Sequence, residues 1–166
     1  YQPGKSWSSA FLSFMQNRCG EFGVLFFSSS IARKSGVISD VMIHELMNPG
    51  NLKTYVDRAN HDILKEGRQL QSEAGDINAF YHDAKGHRIK VECVADDMFR
   101  IGDQSFGKDE LQQFFNAHCN QFSPSVLLRP LVQDAVLPTI GMIVGPGEAR
   151  YMSQLCYAYP AYSIPM

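Results

Sequence analysis

The chain has 166 residues, 45% of them hydrophobic and 19% charged, with a formal net charge of −2. That length and composition suit one ordinary soluble domain with its own core. The near-neutral charge lacks the basic footprint of a nucleic-acid or anionic-membrane binder, although a local arginine or helix N-terminus can still hold a small anion.

The most apolar run, Ala135 to Val144, is interrupted by Pro138 and Gly141. It is far shorter than the ~20 residues a spanning helix requires, so no membrane partner is expected. The opening YQPGKSW has no basic-then-apolar leader pattern. Cys19, Cys93, Cys119 and Cys156 are scattered with no CxxC pair. This argues against a disulfide framework or zinc site and for buried thiols in a reducing, cytoplasmic compartment. The chain starts at Tyr1 without a methionine and stops at SIPM, which reads as the start of another strand. It is therefore expected to be a piece of a longer protein.

In chain order, Trp7, Ala10, Phe11, Phe14 and Met15 recur at helical spacing, which predicts an amphipathic helix from Lys5 to Asn17. Gly20 and Gly23 break it. The run GVLFFSSS, Gly23 to Ser30, predicts a strand buried on both faces, as in a parallel sheet. Helical periodicity returns from Ser35 to Arg68, with Val37, Val41 and Leu46 on one side of its first piece. Asn48-Pro49-Gly50 marks a turn. A second helix follows from Asn51 to about Glu66, with Leu52, Tyr55, Val56, Ala59 and Ile63 inward and Gly67 as its C-terminal cap.

From Gly75 the pattern alternates. It predicts a β-hairpin pairing Ile77–His82 with Arg88–Val94 around Lys85-Gly86, then a short strand from Met98 to Ile101. LQQFFNAH after Gly107 is helical again. Ser125 to Leu128 reads as a short strand, Pro130 as first-turn proline of a helix, and Leu137-Pro138 as its stop. Thr139 to Val144 reads as a second buried strand, Gly145-Pro146-Gly147 as a turn, and Glu148 to about Ala158 as the last helix.

The expected fold class is therefore α/β: a partial Rossmann-like core of mostly parallel strands carrying an inserted antiparallel β-hairpin. Residues 1–70 would form the first part of the core, 71–105 the insertion, and 106–166 the second part with the site.

Strand-to-helix junctions are where open α/β sheets bind ligands, which singles out Val126 to Leu155. In GPGE, Gly145 and Gly147 allow a ligand close to the backbone, and the helix behind them offers unpaired N–H groups to an anion. The alternative is a plain tight turn, with Glu148 favouring the helix start electrostatically. Arg129 has the geometry for a bidentate contact with a carboxylate or phosphate; the alternative is an ion pair with Asp134 or Glu148. Gln133 would share the helical face of Arg129, and Asp134 reads as a base, a ribose contact or a cap. His82, Asp83 and His87 flank the hairpin turn and fit turn chemistry better than a metal set, and no metal is expected. Tyr151, Tyr157, Tyr159 and Tyr162 form an aromatic cluster of core or interface type.

The same stretch, VLLRPLVQDAVLPTIGMIVGPGEARYMSQL, resembles the bacillithiol biosynthesis cysteine-adding enzymes. Its Arg129-Pro130-Leu131, Gln133-Asp134, Leu137-Pro138-Thr139, Gly145-Pro146-Gly147-Glu148 and Tyr151 follow their order and spacing. Weaker likeness runs through SFMQNRCGEFGVLFFSS and AFYHDAKGHRIKV, and Arg18, Cys19 and Ala135 depart from the pattern. The resemblance implies the central segment of a much longer, homodimeric ligase with connecting-peptide insertions on a Rossmann-like core. Such a ligase adds cysteine to glucosaminyl-malate. The chain lacks the family's glycine-rich N-terminal and later segments, so a chain inactive alone is expected. On this reading Asp134 and Glu148 would be catalytic, and Arg129, Gln133, Gly145, Gly147 and Tyr151 would bind substrate or anion. Amide formation requires an activated carboxylate, for which an ATP-dependent route, with ATP or ADP bound, is chemically reasonable. The reading from a different class is a non-catalytic α/β domain that binds a nucleotide or a partner.

Overall fold

The computed structural model describes residue 4 and residues 6–165, and the chain divides into two compact units between Ala32 and Arg33. The first unit contains helix α1, Trp7–Cys19, capped where Ser9 N–H donates to Ser6 Oγ. Lys5, the expected start, lies outside the described residues. The apolar side chains that predicted this helix are exposed: Trp7 at 80%, Phe11 at 57% and Phe14 at 53%. A 3-10 turn, Gly20–Phe22, follows, and helix α2, Ser29–Ser35, spans the division.

The second unit is built on a five-stranded sheet: β1 Ala79–His82, β2 Arg88–Ala95, β3 Met98–Ile101, β4 Gln104–Gly107 and β5 Phe122–Pro124, in the order β4-β3-β2-β1-β5. Every pairing is antiparallel, which corrects the expectation of mostly parallel strands. β1 to β4 follow one another through short turns, whereas a parallel pair would need a crossover of a dozen or more residues; the long connection, through the helix Lys108–His118, returns the chain to β5 antiparallel beside β1. The hairpin strands appear as read from the alternation, with Gly86 at φ 84° and Asp97 at φ 57° in the two turns. β4 was not anticipated.

Alternation along these strands gives the sheet two unlike faces. Ala79, Val91, Phe99, Ile101 and Phe122 are buried. Above them packs α5, Lys108–His118, through Leu111 and Phe115, with the Phe115 and Phe122 rings 5.1 Å apart. On the same side lies α3, Ser39–Met47, which packs against α5, β1 and β5; α4, Asn51–Lys65, follows it. In α4 the expected inward residues Leu52, Val56, Ala59 and Ile63 are buried, while Tyr55 is half-buried. Gly67 closes it at φ 71°, with Arg68 N–H donating to the Ile63 carbonyl and Gly67 N–H to that of Leu64. In α3 the inner face is Met42, Glu45 and Leu46, and Val37, before it, is exposed.

Three helices complete the unit: α6, Leu128–Val136; α7, Pro146–Ser153; and α8, Ala158–Ala161. Four expected strands are absent from the described residues. Ser125 to Leu128 is a turn into α6 rather than a strand: Val126 is exposed, Leu127 and Leu128 are buried, and Ser125 Oγ accepts from Leu128 N–H. A short apolar run cannot by its periodicity tell buried helix from buried strand. Residues 24–28 and 139–144 form no regular structure, with Leu25 at 93%, Ile140 at 105% and Ile143 at 104% exposure. An apolar run becomes a strand only against a free edge, and neither run pairs with one among the described residues. The expected terminal strand at SIPM is likewise not formed over 163–165; Ile164 N–H instead closes a turn on the Tyr159 carbonyl, and Met166 lies outside the described residues. The cysteines are free thiols, three half-buried and Cys156 exposed, not the buried thiols expected. No helix among the described residues is long and apolar enough to cross a membrane.

The tie between the sheet and its helices is polar. Glu45 is fully buried and accepts from Asn78 N–H (2.8 Å), Asn78 Nδ2 (2.9 Å) and Tyr162 OH (2.7 Å). Asn78 also bonds Gly75 in both directions and accepts from Ser125 N–H. Burial raises the Glu45 carboxyl above 4.5, opposed by these hydrogen bonds. Asn78→Ala is expected to lower unfolding free energy by about 2–3 kcal/mol, read from the denaturant midpoint. A raised folded-state carboxyl makes the native state bind more protons than the unfolded one. Stability due to Glu45 therefore falls as pH rises from 4.5 through its folded value. Glu45→Gln should lose that component, so its stability relative to the parent should increase with pH across this window in pH-dependent denaturation.

Candidate functional site

The α6–α7 junction gathers most of the residues singled out in the sequence. Leu128 opens α6, so Pro130 stands at its third position, where a missing N–H costs nothing. Leu137, extended at ψ 139°, ends it before Pro138. Four-residue spacing puts Arg129 and Gln133 on one face, and Arg129 Nη1 donates to Gln133 Oε1 at 3.3 Å. Arg129 Nη2 donates to Glu148 Oε1 at 2.6 Å and to the Tyr151 hydroxyl. Tyr151 donates in turn to Glu148 Oε1 at 2.8 Å, a three-residue step on α7.

Arg129, Gln133, Glu148 and Tyr151 thus form one closed cluster. Hydrogen bonds from Tyr151 and Arg129 hold the Glu148 carboxyl below 4.5. Burial raises the Tyr151 phenol, aided by Glu148, so it stays protonated. Although burial opposes it, hydrogen bonding to Glu148 and Tyr151 raises Arg129 further. The ion-pair alternative for Arg129 is therefore present, with Glu148 as its partner. Its side chains are 43% and 35% exposed, so solvent screening keeps its contribution small.

Asp134 is not in that cluster. Its Oδ2 accepts from Tyr159 OH at 2.6 Å, and its Oδ1 is buried with no hydrogen-bond partner. Burial followed by the Asp134 bond pushes the Tyr159 phenol far up, with the Arg129 charge opposing. The two groups therefore sit within electrostatic reach of each other. Gly145 is the N-cap of α7 at φ −74°, and neither it nor Gly147 would meet an atom within 4 Å of an added Cβ. Nothing inside the protein demands glycine there, so the turn is open on its outer side.

Sequence reasoning missed Tyr159, the residue that orients Asp134. Its only signal was membership of the late tyrosine cluster. Each of those four tyrosines donates to a carboxylate: Tyr151 to Glu148, Tyr157 to Asp62, Tyr159 to Asp134 and Tyr162 to Glu45. At the hairpin tip, Asp83 accepts from Lys85 and His87 N–H and pairs with His87 Nδ1 at 2.9 Å. Among the described residues no three His, Cys, Asp or Glu side chains gather as a metal set.

The family model described as "Bacillithiol biosynthesis BshC, N-terminal Rossmann-like domain" matches residues 1–166, the whole chain. The chain belongs to the BshC family. Proteins named "Putative cysteine ligase BshC" are similar to it throughout. That of Chlorobaculum tepidum is 32% identical over 169 residues, and that of Chlorobium phaeobacteroides 30% over 170, each covering 100% of this chain. That of Thermus thermophilus is 28% identical over 149 residues, 89% of this chain. The chain spans 30% of the length of each of these relatives. Its fold is α/β, as the Rossmann-like description has it, with an antiparallel sheet in the described residues.

A carboxylate whose folded-state value is depressed adds stability above its unfolded value and loses it as pH falls through the folded one. Glu148→Gln is therefore expected to destabilise the protein at neutral pH. That difference should vanish below pH 4.5 as Glu148 itself protonates, measured as melting temperatures of both proteins across the range.

Proposed function

We propose that this chain supplies part of the active site of a ligase that joins cysteine to glucosaminyl-malate in bacillithiol biosynthesis. The observation that carries the reading is the Arg129–Gln133–Glu148–Tyr151 cluster. It is built from the residues on which the family resemblance rests, at an open glycine turn.

Amide formation needs a carboxylate held in place and an amine presented as free base. Arg129 uses one Nη1–H and two Nη2–H bonds within the cluster, and a guanidinium has five donors. Nε–H and the second Nη1–H are left to hold a substrate carboxylate. Glu148, kept ionised, fixes the guanidinium plane and acts as a hydrogen-bond acceptor rather than as a strong base. Asp134 Oδ1 is the buried acceptor without a partner, and it receives a proton of the attacking amine. Tyr159, by donating to Oδ2, holds the carboxylate so that Oδ1 is the oxygen left without a partner.

The cluster does not fit a nucleotide triphosphate. Its cation, Arg129, is already matched by Glu148, and Pro146 removes one N–H from the start of α7. Carboxylate activation by ATP is therefore not assigned to these residues. The closed ion pair is also the observation that favours the second reading, a non-catalytic binding domain in which the pair serves as a latch.

Incubating the full-length protein with cysteine and glucosaminyl-malate, with and without ATP, should yield the thiol conjugate by mass spectrometry. Arg129→Ala should abolish product with an unchanged circular dichroism spectrum, and Asp134→Asn should lower kcat by about 100-fold. Normal turnover by Arg129→Ala would move Arg129 to the latch reading.

A further inference from the structure

A cleft of about 390 Å³ opens between the C-terminal end of α4 and the C-terminal half of α7, lined by Ile63, Gly67, Arg68, Gln69, Arg150 and Ser153. Its size is near the lower end of small-molecule sites. Helical spacing turns Arg150 and Ser153 away from Glu148 and Tyr151 on α7, so the cleft uses no residue of the Arg129 cluster. Its walls are tied together by Gln154, whose buried amide bonds Asn60 on α4 and Gln71 and Ser72 in the segment that follows. Ile63 supplies its apolar surface, and no aromatic side chain lines it.

Both arginines carry donors to spare. Among the described residues the Arg150 guanidinium has no hydrogen bond, ion pair or ring contact. Arg68 donates Nε–H to Glu66 Oε2 at 2.8 Å, with its Nη2 2.7 Å from the same oxygen. A guanidinium has five N–H donors, so a carboxylate on one edge leaves three. Both partners of that pair are more than half exposed, so it is weak and yields readily. The Gln69 amide beside Arg68 is also unpartnered among the described residues. Helix C-termini are negative and disfavour an anion, but here the last carbonyls are taken. Those of Ile63 and Leu64 accept from Arg68 and Gly67 N–H, those of Tyr151 and Met152 from Gln154 and Leu155 N–H, and that of Arg150 from Ser153 Oγ.

We infer that this cleft binds a small organic molecule through its phosphate group, held by Arg68 and Arg150. Guanidinium N–H groups from two side chains, together with the Gln69 amide, suit the three free oxygens of a phosphate ester better than the two of a carboxylate. The cleft is far larger than a bare phosphate ion, which leaves room for the organic part on Ile63. With no aromatic wall, that part is recognised by apolar contact and shape rather than by stacking.

The test is isothermal titration calorimetry of the full-length protein at low ionic strength and two temperatures, with phenyl phosphate and separately with inorganic phosphate. Phenyl phosphate is expected to bind the more tightly. Arg150→Gln, which breaks no polar contact within the protein, should weaken its binding about tenfold or more, and Arg68→Gln should weaken it as well. Arg100→Gln removes an equal charge from a pair with Glu92 on the sheet and should leave binding unchanged, with circular dichroism confirming the fold of all three variants. The absence of heat at millimolar phenyl phosphate at both temperatures, parent-like affinity in Arg150→Gln, or inorganic phosphate binding as tightly as its phenyl ester would overturn the proposal. So would loss of binding in Arg129→Ala, which would put the probe on the Arg129 cluster instead.

Discussion

A phenol hydrogen-bonded to a carboxylate is the interaction on which the second unit depends. The stretch from Tyr151 to Tyr162 contributes four such contacts, and they reach acids on α7, α4, α6 and α3. α8 has only four residues and could not hold its place through backbone bonds alone. Its anchor is Tyr162 on the buried Glu45, and the residue that holds Asp134 in place is Tyr159. The contact to Glu45 satisfies a carboxylate that burial would otherwise make costly, and all four contacts raise the phenol, so the donor stays protonated throughout the ordinary pH range.

Buried polar groups perform the same task at the sheet entrance and along the irregular segment after α4. Gln154 is fully buried with its amide saturated: Oε1 accepts from Gln71 and Ser72 N–H, and Nε2 donates to Asn60 Oδ1 and the Ser72 carbonyl. Residues without regular structure cannot satisfy their own backbone, and this side chain does it for them. Glu45, Asn78 and Gln154 therefore determine where loops run, while Leu, Val and Phe determine what is buried. The candidate site inherits its precision from these ties, because α7, which carries Glu148 and Tyr151, ends at the residue before Gln154.

Much of the local structure was legible because it rests on neighbours in sequence. The α4 stripe, the Gly67 cap, the hairpin with Gly86 and the stop at Leu137-Pro138 all follow from spacing and backbone restriction. Of the site, the Arg129–Gln133 and Glu148–Tyr151 contacts follow from helical spacing once α6 and α7 exist. The two runs read as buried parallel strands, 23–30 and 139–144, failed for a common reason. Apolar content marks a wish for burial, but a strand also needs an edge to pair with, and sequence says nothing of which edges are free.

The amino-acid sequence by itself determined the α/β class, most helix and hairpin positions and the family. These depend on periodicity, turn chemistry and the ordered motif from Arg129 to Tyr151. Only the tertiary structure decided that the sheet is antiparallel, that Glu148 rather than Asp134 pairs with Arg129, and that Tyr159 leaves one Asp134 oxygen without a partner. Those choices are made by contacts between residues far apart in the chain, where distance, burial and competition among donors select one partner from many that the spacing allows.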